Sequence, residues 1–536
     1  MFNKKQQAIE SLRESSGLIK TTYCNIDKIR SLFDKTKGRF TSQVVDDRAC
    51  EDFDFDELFM FADRTTSVVG QQHLYRKLRT PNAGDFEEQE TLIRYYQESE
   101  QRRLQIQYQL AKIKNNDAYH LVSLIYDKIV EQPRWLPVLY LLAIGNVVSL
   151  ILFFFFFSMI YVVLAITVVN VCIHIWNKKQ LFTYIHSLPL LLDLSKVTKQ
   201  LIAVKVPYKK MEQVVNATRQ LDRIKRRMSF FNVVVGLDND LATMLWYALE
   251  IVKSMLLLEP IFLYQTFKLI EDKQEDLSVV FDFVGEVDSA MSVHFLRESL
   301  PFYCLPDFTA KPKQLDLQDI YHPLVINAVH NSISISGKSV LLTGSNMSGK
   351  TTFIRSVAIG MLTAQTINTC FARRFCAQPM RLHSLVRVSD DLMNSKSYYF
   401  EEVLSVKRLL EASQGAGSCL FILDEIFKGT NTVERIAAGK AVLQVLNRND
   451  NIVFVSTHDV ELAELLVEGY DLYHFCEQVD GCHIDFDYKI KHGVLKTRNA
   501  IRILEMNGYP ASVVEDAKRV ALQVGTKVGI PKPFLN

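Results

Sequence analysis

Val340-Leu341-Leu342-Thr343-Gly344-Ser345-Asn346-Met347-Ser348-Gly349-Lys350-Thr351-Thr352 reads as a buried strand, a glycine-rich turn and the start of a helix near Lys350. The spacing G-x-x-x-x-G-K-[ST] is filled by Gly344, Gly349, Lys350 and Thr351. Glycines let the backbone curl until its N–H groups converge on a phosphate. The lysine reaches the β- and γ-phosphates, and the next hydroxyl can ligate Mg²⁺. The helix N-terminus adds partial positive charge at the same place. The expectation is an ATP site formed by Gly344, Ser345, Asn346, Met347, Ser348, Gly349, Lys350, Thr351 and Thr352, with Mg²⁺ as cofactor.

Two further strands answer this one. Cys419-Leu420-Phe421-Ile422-Leu423 is an apolar run that ends in Asp424-Glu425. A parallel strand delivers acids in this way to the carboxyl edge of an open α/β sheet, where ligands bind. Asp424 is expected to hold Mg²⁺ together with Thr351. Glu425 is expected to act on the attacking water as general base or by orienting it. Ile452-Val453-Phe454-Val455-Ser456 runs into Thr457-His458, so His458 is expected at a strand end, contacting the γ-phosphate or positioning water.

Outward from these strands, the chain of 536 residues is long enough for two or three domains with cores of their own. A net charge of +2 implies no global polycation or acidic tail. The nine cysteines are scattered, mostly in apolar runs, which is not a secreted disulfide framework. Cys476, Cys482 and His483 invite a zinc reading, but their spacing matches no common finger, and packing at a sheet edge is the better expectation. The first residues lack the apolar core of a signal peptide.

The chain before the strands reads as helical. Residues 1–57 form a polar segment that ends in the acidic run Glu51 to Glu57. Residues 58–134 and 177–310 form two parts of an all-α domain. Residues 311–536 hold the α/β domain, with helices at its C-terminal end. Between the helical parts, 135–176 contains no Asp, Glu, Lys or Arg. A bilayer crossing needs about 20 apolar residues, so the run fits a hairpin of two transmembrane helices turning near Phe157-Ser158. Arg134 and Lys178-Lys179 flank it, and Trp135 and Trp176 suit the interface. Both flanks then lie on one side, which the need for ATP makes the cytoplasmic side. Lys205 to Arg227 carries eight basic residues (205, 209, 210, 219, 223, 225, 226, 227) against Glu212 and Asp222. That face meets solvent, nucleic-acid phosphate or anionic lipid head groups. Leu241 to Tyr264 is apolar but carries Glu250, Lys253 and Glu259, and is expected as a buried helix.

Several motifs together resemble the MutS family of DNA mismatch repair ATPases. Thr343 to Thr352, with its Asn346-Met347 pair, is similar to that family's phosphate loop. Asp424-Glu425 with the tail Gly429-Thr430-Asn431-Thr432 resembles its acidic motif, and Thr457-His458 with Glu461-Leu462 its histidine switch. Tyr321-His322-Pro323-Leu324 is similar to its entry to the ATPase. Asp390-Asp391-Leu392, Ser397 and Glu402 resemble the segment that completes the partner subunit's ATP site. Upstream, Asp63-Arg64-Thr65-Thr66 and Val287-Asp288-Ser289-Ala290 are similar to the start and end of the lever domain. Gly508-Tyr509-Pro510 with Ala517 resembles the dimerising tail. The likeness covers about 58–133 and 280–525.

The resemblance implies an ABC-like P-loop fold with a mostly parallel sheet, preceded by an all-α lever. It also implies a homodimer with two composite ATP sites, in which Ser397 of one chain approaches the γ-phosphate held by the other. Val329 and Asn331 would border the adenine. The departures are as informative. Only 57 residues precede the lever here, and neither a mismatch-reading nor a connector domain is expected. The apolar hairpin sits where the family inserts its DNA clamp, and Phe427-Lys428 replace the usual Gly-Arg. Two readings result. One is an ATPase clamp on duplex DNA, related to mismatch repair and tethered to the membrane. The other is a membrane-bound mechanochemical ATPase acting on lipid or a protein partner without DNA.

Overall fold

The computed structural model describes residues 2–20, 25–40, 43–82, 86–127, 135–180, 182–228, 251–345, 347–387, 398–480, 483–495, 501, 504–505 and 508–527. The chain falls into two compact units. One gathers Met1–Thr41, Ala62–Lys77 and Asp85–Ser299, the other Ser42–Phe61, Leu78–Gly84 and Leu300–Asn536.

The first unit is helical. Its long helices include α1 (Val68–Arg79), α2 (Glu87–Glu98), α3 (Leu136–Phe153), α4 (Ile160–Gln180), α5 (Phe182–Ala203), α6 (Met211–Met228), α7 (Leu258–Glu271) and α8 (Gln274–Ser299). α8 and α1 meet closely. A Cβ on Gly70 would lie 2.2 Å from Asp288 Oδ2, and one on Gly285 would lie 2.7 Å from the His73 ring. Asp288 caps the start of α1, accepting from the backbone N–H groups of Thr66 (2.9 Å) and Ser67 (2.7 Å) and from the Ser67 hydroxyl (2.5 Å). Side-chain capping of this kind satisfies helix N–H groups that have no partner in the helix. Asp63 is buried, with Lys20 Nζ at 2.9 Å and the Gln71 amide at 2.7 Å.

α6 carries much of the basic run. Val214, Ala217, Leu221 and Ile224 are buried at helical spacing, while Lys209, Lys210, Arg219 and Arg223 are exposed. The side chains of Lys225, Arg226 and Arg227 lie outside the described residues.

α3 and α4 form the apolar hairpin, and both are long and apolar enough to cross a membrane. The run does have a polar face, and it points inward. Asn146, Ser149, Asn170, His174 and Asn177 are buried, while Leu141, Ile144, Ile151, Leu164, Val168 and Ile175 are exposed. Asn146 Nδ2 donates to Thr167 Oγ1 (3.2 Å) and to the Met255 carbonyl (3.0 Å), which also accepts from Asn170 Nδ2 at 2.6 Å. His174 lies 3.4 Å from Glu259, and the Tyr264 hydroxyl donates to Asn177 at 3.0 Å. A water-soluble helix has the opposite polarity, apolar in and polar out. The segment expected as one helix over Leu241 to Tyr264 is broken. Leu257 has φ +50, and α7 starts just after it. A left-handed residue other than glycine marks a chain reversal or kink. Residues 241–250 lie outside the described residues.

The second unit is α/β. Its main sheet has six strands in the order β11-β8-β3-β7-β6-β5. These are β3 (Ser339–Thr343), β5 (Arg381–Leu385), β6 (Cys419–Asp424), β7 (Ile452–Ser456), β8 (Tyr470–His474) and β11 (Lys491–His492). All neighbours are parallel except β11 with β8. β3 is flanked by β7 and β8, and Val340 to Leu342, Leu420 to Leu423 and Ile452 to Val455 are fully buried. Burial on both faces explains why these strands read as continuous apolar runs. A second sheet, not foreseen from the sequence, pairs β1 (Gln314–Ile320) antiparallel with β2 (Asn331–Ser336) and β4 (Arg374–Ala377). The same unit includes helices α9 (Lys350–Ile367), α10 (Tyr398–Ser413), α11 (Thr432–Leu446) and α12 (Ala511–Lys527).

Candidate nucleotide site

β3 delivers the loop and α9 leaves it. The loop turns at Gly344 (φ +140) and at Gly349 (φ +100), which caps α9. Gly344 also packs too closely for a side chain, because a Cβ there would sit 2.5 Å from the Phe475 carbonyl. Lys350 is buried, and its ammonium donates to the carbonyls of Gly344 (2.6 Å) and Ser345 (2.8 Å). Burial pushes it down to about 8, against the pull of Asp424 and Glu425. Ser348 Oγ donates to the Ser345 carbonyl at 2.7 Å, closing the turn. Met347 is exposed, and Asn346 lies outside the described residues.

Parallel pairing of β6 with β7 sets Asp424 beside Ser456. Asp424 accepts from Ser456 Oγ and, at 2.7 Å, from Thr351 Oγ1 in the first turn of α9. A hydroxyl and a carboxylate side by side are hard oxygen donors, the set that suits Mg²⁺. Ser456 was not singled out from the sequence; its signal was its place just before Thr457-His458. Glu425 follows with φ +51, a strained conformation for this residue type, and its N–H donates to the Ser456 carbonyl at 2.9 Å. Its carboxylate meets His458 Nε2 at 2.5 Å and Lys428 Nζ at 2.9 Å. The His458 hydrogen bond, assisted by Lys428, holds this carboxyl down at about 2 although burial opposes it.

Glu402 of α10 supports the acidic motif from behind. It is buried and accepts from the N–H groups of Phe427 and Lys428. Burial pushes its carboxyl up, while those bonds pull it down. Ser397 and Asp390-Asp391-Leu392 lie outside the described residues.

Beside the loop is a cavity of about 360 Å³, lined by His322, Val329, Asn331, Gly349, Thr352 and Tyr488 among others. Its mixed polar and apolar walls and its size suit a nucleoside. Asn331 directs its amide to the backbone of Tyr488 (3.0 Å) and Ile490 (2.9 Å), so it fixes that chain segment beside the cavity. Tyr488 lies where a Cβ on Gly349 would be 3.1 Å from its ring. It too went unnoticed in the sequence, since a lone tyrosine far along the chain carries no pattern.

The acidic run Glu51 to Glu57 is tied to the α/β unit by Asp52 and Asp54. In the structure Asp52 accepts from the Ser384 hydroxyl (2.7 Å) and the N–H groups of Val386 (3.1 Å) and Arg387 (2.7 Å) at the end of β5. Asp54 pairs with Arg355 of α9 at 3.0 Å and with Arg387 at 2.7 Å. The Cys476 thiol lies 2.8 Å from Lys491 Nζ. Among the described residues no group of His, Cys, Asp or Glu is arranged to hold a metal ion; Cys482 lies outside them.

Residues 340–525 match the family model for MutS domain V. Residues 340–525 are thus a MutS domain V, and the chain is similar to MutS proteins. Curated relatives include the DNA mismatch repair protein MutS of Petrotoga mobilis, 28% identical over 248 residues, covering 42% of this chain and 29% of the relative. That of Natronomonas pharaonis is 28% identical over 226 residues, covering 40% of this chain and 26% of the relative. That of Aquifex pyrophilus is 26% identical over 287 residues, covering 50% and 33%. The chain thus spans about a quarter to a third of the length of these MutS relatives. The domain V match begins in β3 and takes in the phosphate loop, the acidic motif, His458 and α12.

Proposed function

We propose that this MutS-like chain binds and hydrolyses ATP as a homodimer, is anchored in a membrane through residues 135–176, and couples its ATP cycle to duplex DNA. The observation that carries the ATPase reading is the convergence of Lys350, the Thr351–Asp424 pair and the Glu425–His458 pair on one loop. Loop N–H groups and Lys350 bind the phosphates. Thr351 and Asp424 would hold Mg²⁺, which when bound neutralises charge on the phosphate oxygens. Glu425, kept ionised, accepts the proton of the attacking water, and His458 holds its carboxylate in place. Ser397 of the second chain would reach the γ-phosphate in trans. The nucleoside fits the cavity beside Val329 and Tyr488.

The membrane reading is supported by the inverted polarity of α3 and α4, with the ATP site on the cytoplasmic side. The DNA reading is supported by kinship with mismatch repair proteins and by the exposed basic side chains of α6. The same basic face, together with the hairpin, favours the second reading, an ATPase acting on lipid or a protein partner. ATP turnover in lipid nanodiscs, with and without duplex DNA at low and moderate salt, separates the two. On the first reading DNA stimulates turnover. Its binding then weakens with salt, log K against log salt having a slope of about −0.9 per phosphate neutralised. Turnover indifferent to DNA but responsive to anionic lipid selects the second.

A further inference from the structure

We propose that the hairpin of α3 and α4 ends inside the membrane, its phenylalanine tip lying among acyl chains, and that no loop emerges on the far side. The inference rests on the membrane reading above and concerns how deep the chain goes.

Length is the first argument. α3 has 18 residues. At 1.5 Å per residue it reaches about 27 Å. The hydrocarbon core is about 30 Å thick, and any tilt shortens the reach. The near boundary is marked by Trp135 and Trp176, whose rings lie 5.8 Å apart, with Tyr264 6.0 Å from Trp135 and Lys179 exposed just beyond. Measured from there, α3 ends about 3 Å inside the far edge of the hydrocarbon, so the tip residues Phe154 to Phe157 lie at that edge with little length left for a loop beyond it.

The second argument is the tip itself. Phe154, Phe155, Phe156 and Phe157 are 60–79% exposed, and Phe153 packs on Phe154 and Phe157 at 5.9 and 5.7 Å. From Phe153 to Tyr161 the chain holds no charged or amide side chain, and Ser158 is its one aliphatic hydroxyl. A loop in water would place this aromatic cluster there with only the Ser158 and Tyr161 hydroxyls to solvate it.

The third is the backbone. In hydrocarbon an N–H without a partner is costly, so irregular backbone is excluded unless it bonds internally. This turn does so. The N–H of Phe154 donates to Ile151 (3.2 Å), those of Phe155 and Phe156 to Leu152 (3.0 and 2.8 Å), and that of Met159 to Phe156 (3.0 Å). Ile160 donates to Phe157 and Ser158. The buried polar seam stops short of the tip, its last member on α3 being Ser149.

The test uses the full chain in cell membranes, with Ser158→Cys as a small change and Phe155→Cys as a second probe. Lys179→Cys serves as the control on the ATP side, and the parent chain's own cysteines set the baseline. Membranes are first washed in alkaline carbonate. An impermeant maleimide is then applied to intact cells, to inverted vesicles and after detergent. The expected result is a chain retained by the wash, Lys179→Cys labelled in inverted vesicles, and both tip positions labelled above the parent only in detergent. Labelling of either tip cysteine in intact cells shows an emerging loop and overturns the proposal while leaving the anchor intact. Tip labelling in inverted vesicles shows a hairpin lying on the surface and also overturns it. Release by the carbonate wash overturns the membrane reading itself.

Discussion

Lys350 has its two contacts with loop carbonyls, so incoming phosphates must draw it outward. Phosphate favours the charged amine, whereas burial in the free chain lowers it to about 8. Above that pH the free chain must take up a proton to bind nucleotide. ATP affinity should therefore be flat from pH 7 to about 8 and fall up to tenfold per unit above it. A fluorescent-nucleotide titration across pH 7 to 9.5 checks this, and a flat curve throughout would show that the lysine stays charged. Lys350→Ala should lose nucleotide binding altogether. Glu425 behaves oppositely. With its carboxyl held near 2, no loss of turnover from its protonation is expected above pH 5. Glu425→Gln should keep ATP binding and slow hydrolysis by about 10²-fold or more, as for a lost general base. Unchanged single-turnover rates would remove Glu425 from the mechanism.

α1 and α8 meet through two glycines and one buried carboxylate, and both features give testable consequences. Gly70→Ala puts a methyl into Asp288, so it should destabilise the helical unit by about 1–3 kcal/mol, measured by denaturant unfolding. An unchanged midpoint would mean that the helices separate without cost. Burial lifts the Asp288 carboxyl from 3.8 to about 6, although its three hydrogen bonds pull it down. The folded state then holds the proton more tightly than the unfolded one. The favourable contribution is complete below about pH 4 and is lost as pH rises through 6, an effect of about 3 kcal/mol. In Asp288→Asn that contribution to the slope between pH 4 and 6 should vanish. A slope equal to that of the parent would assign the pH dependence elsewhere.

For the whole molecule, the central prediction is that each ATP site needs two chains. Mixing Ser397→Ala chains with Lys350→Ala chains should restore part of the turnover that each lacks alone, because one of the two sites in the mixed dimer escapes both changes. Absence of any recovery, with mixed dimers shown to form, would argue for sites complete within one chain. The hairpin adds a second demand at this scale. If the inward amides hold the membrane segments together, Asn146→Leu with Asn170→Leu leaves the Met255 carbonyl without either donor. A buried acceptor so stranded costs about 1–3 kcal/mol. Thermal unfolding in nanodiscs should then occur at lower temperature.

Much of the candidate site was legible because its pattern is local in sequence. A phosphate loop needs its glycines and lysine at fixed offsets, and a buried parallel strand ending in acids announces itself by hydropathy alone. The hairpin was legible as an uncharged run for the same reason. What tertiary structure alone decided depends on contacts between residues far apart in the chain. Ser456 reaches Asp424 through strand register, Asp52 and Asp54 reach Arg387 and Arg355 across some three hundred residues, and Tyr488 enters the cavity beside Gly349 from a late strand connection. The direction of the hairpin's polar face belongs here too. Asn146, Asn170 and Asn177 are scattered polar letters in an apolar run, and only helix packing turns all three inward, because a buried amide is stable only where another group completes its hydrogen bonds.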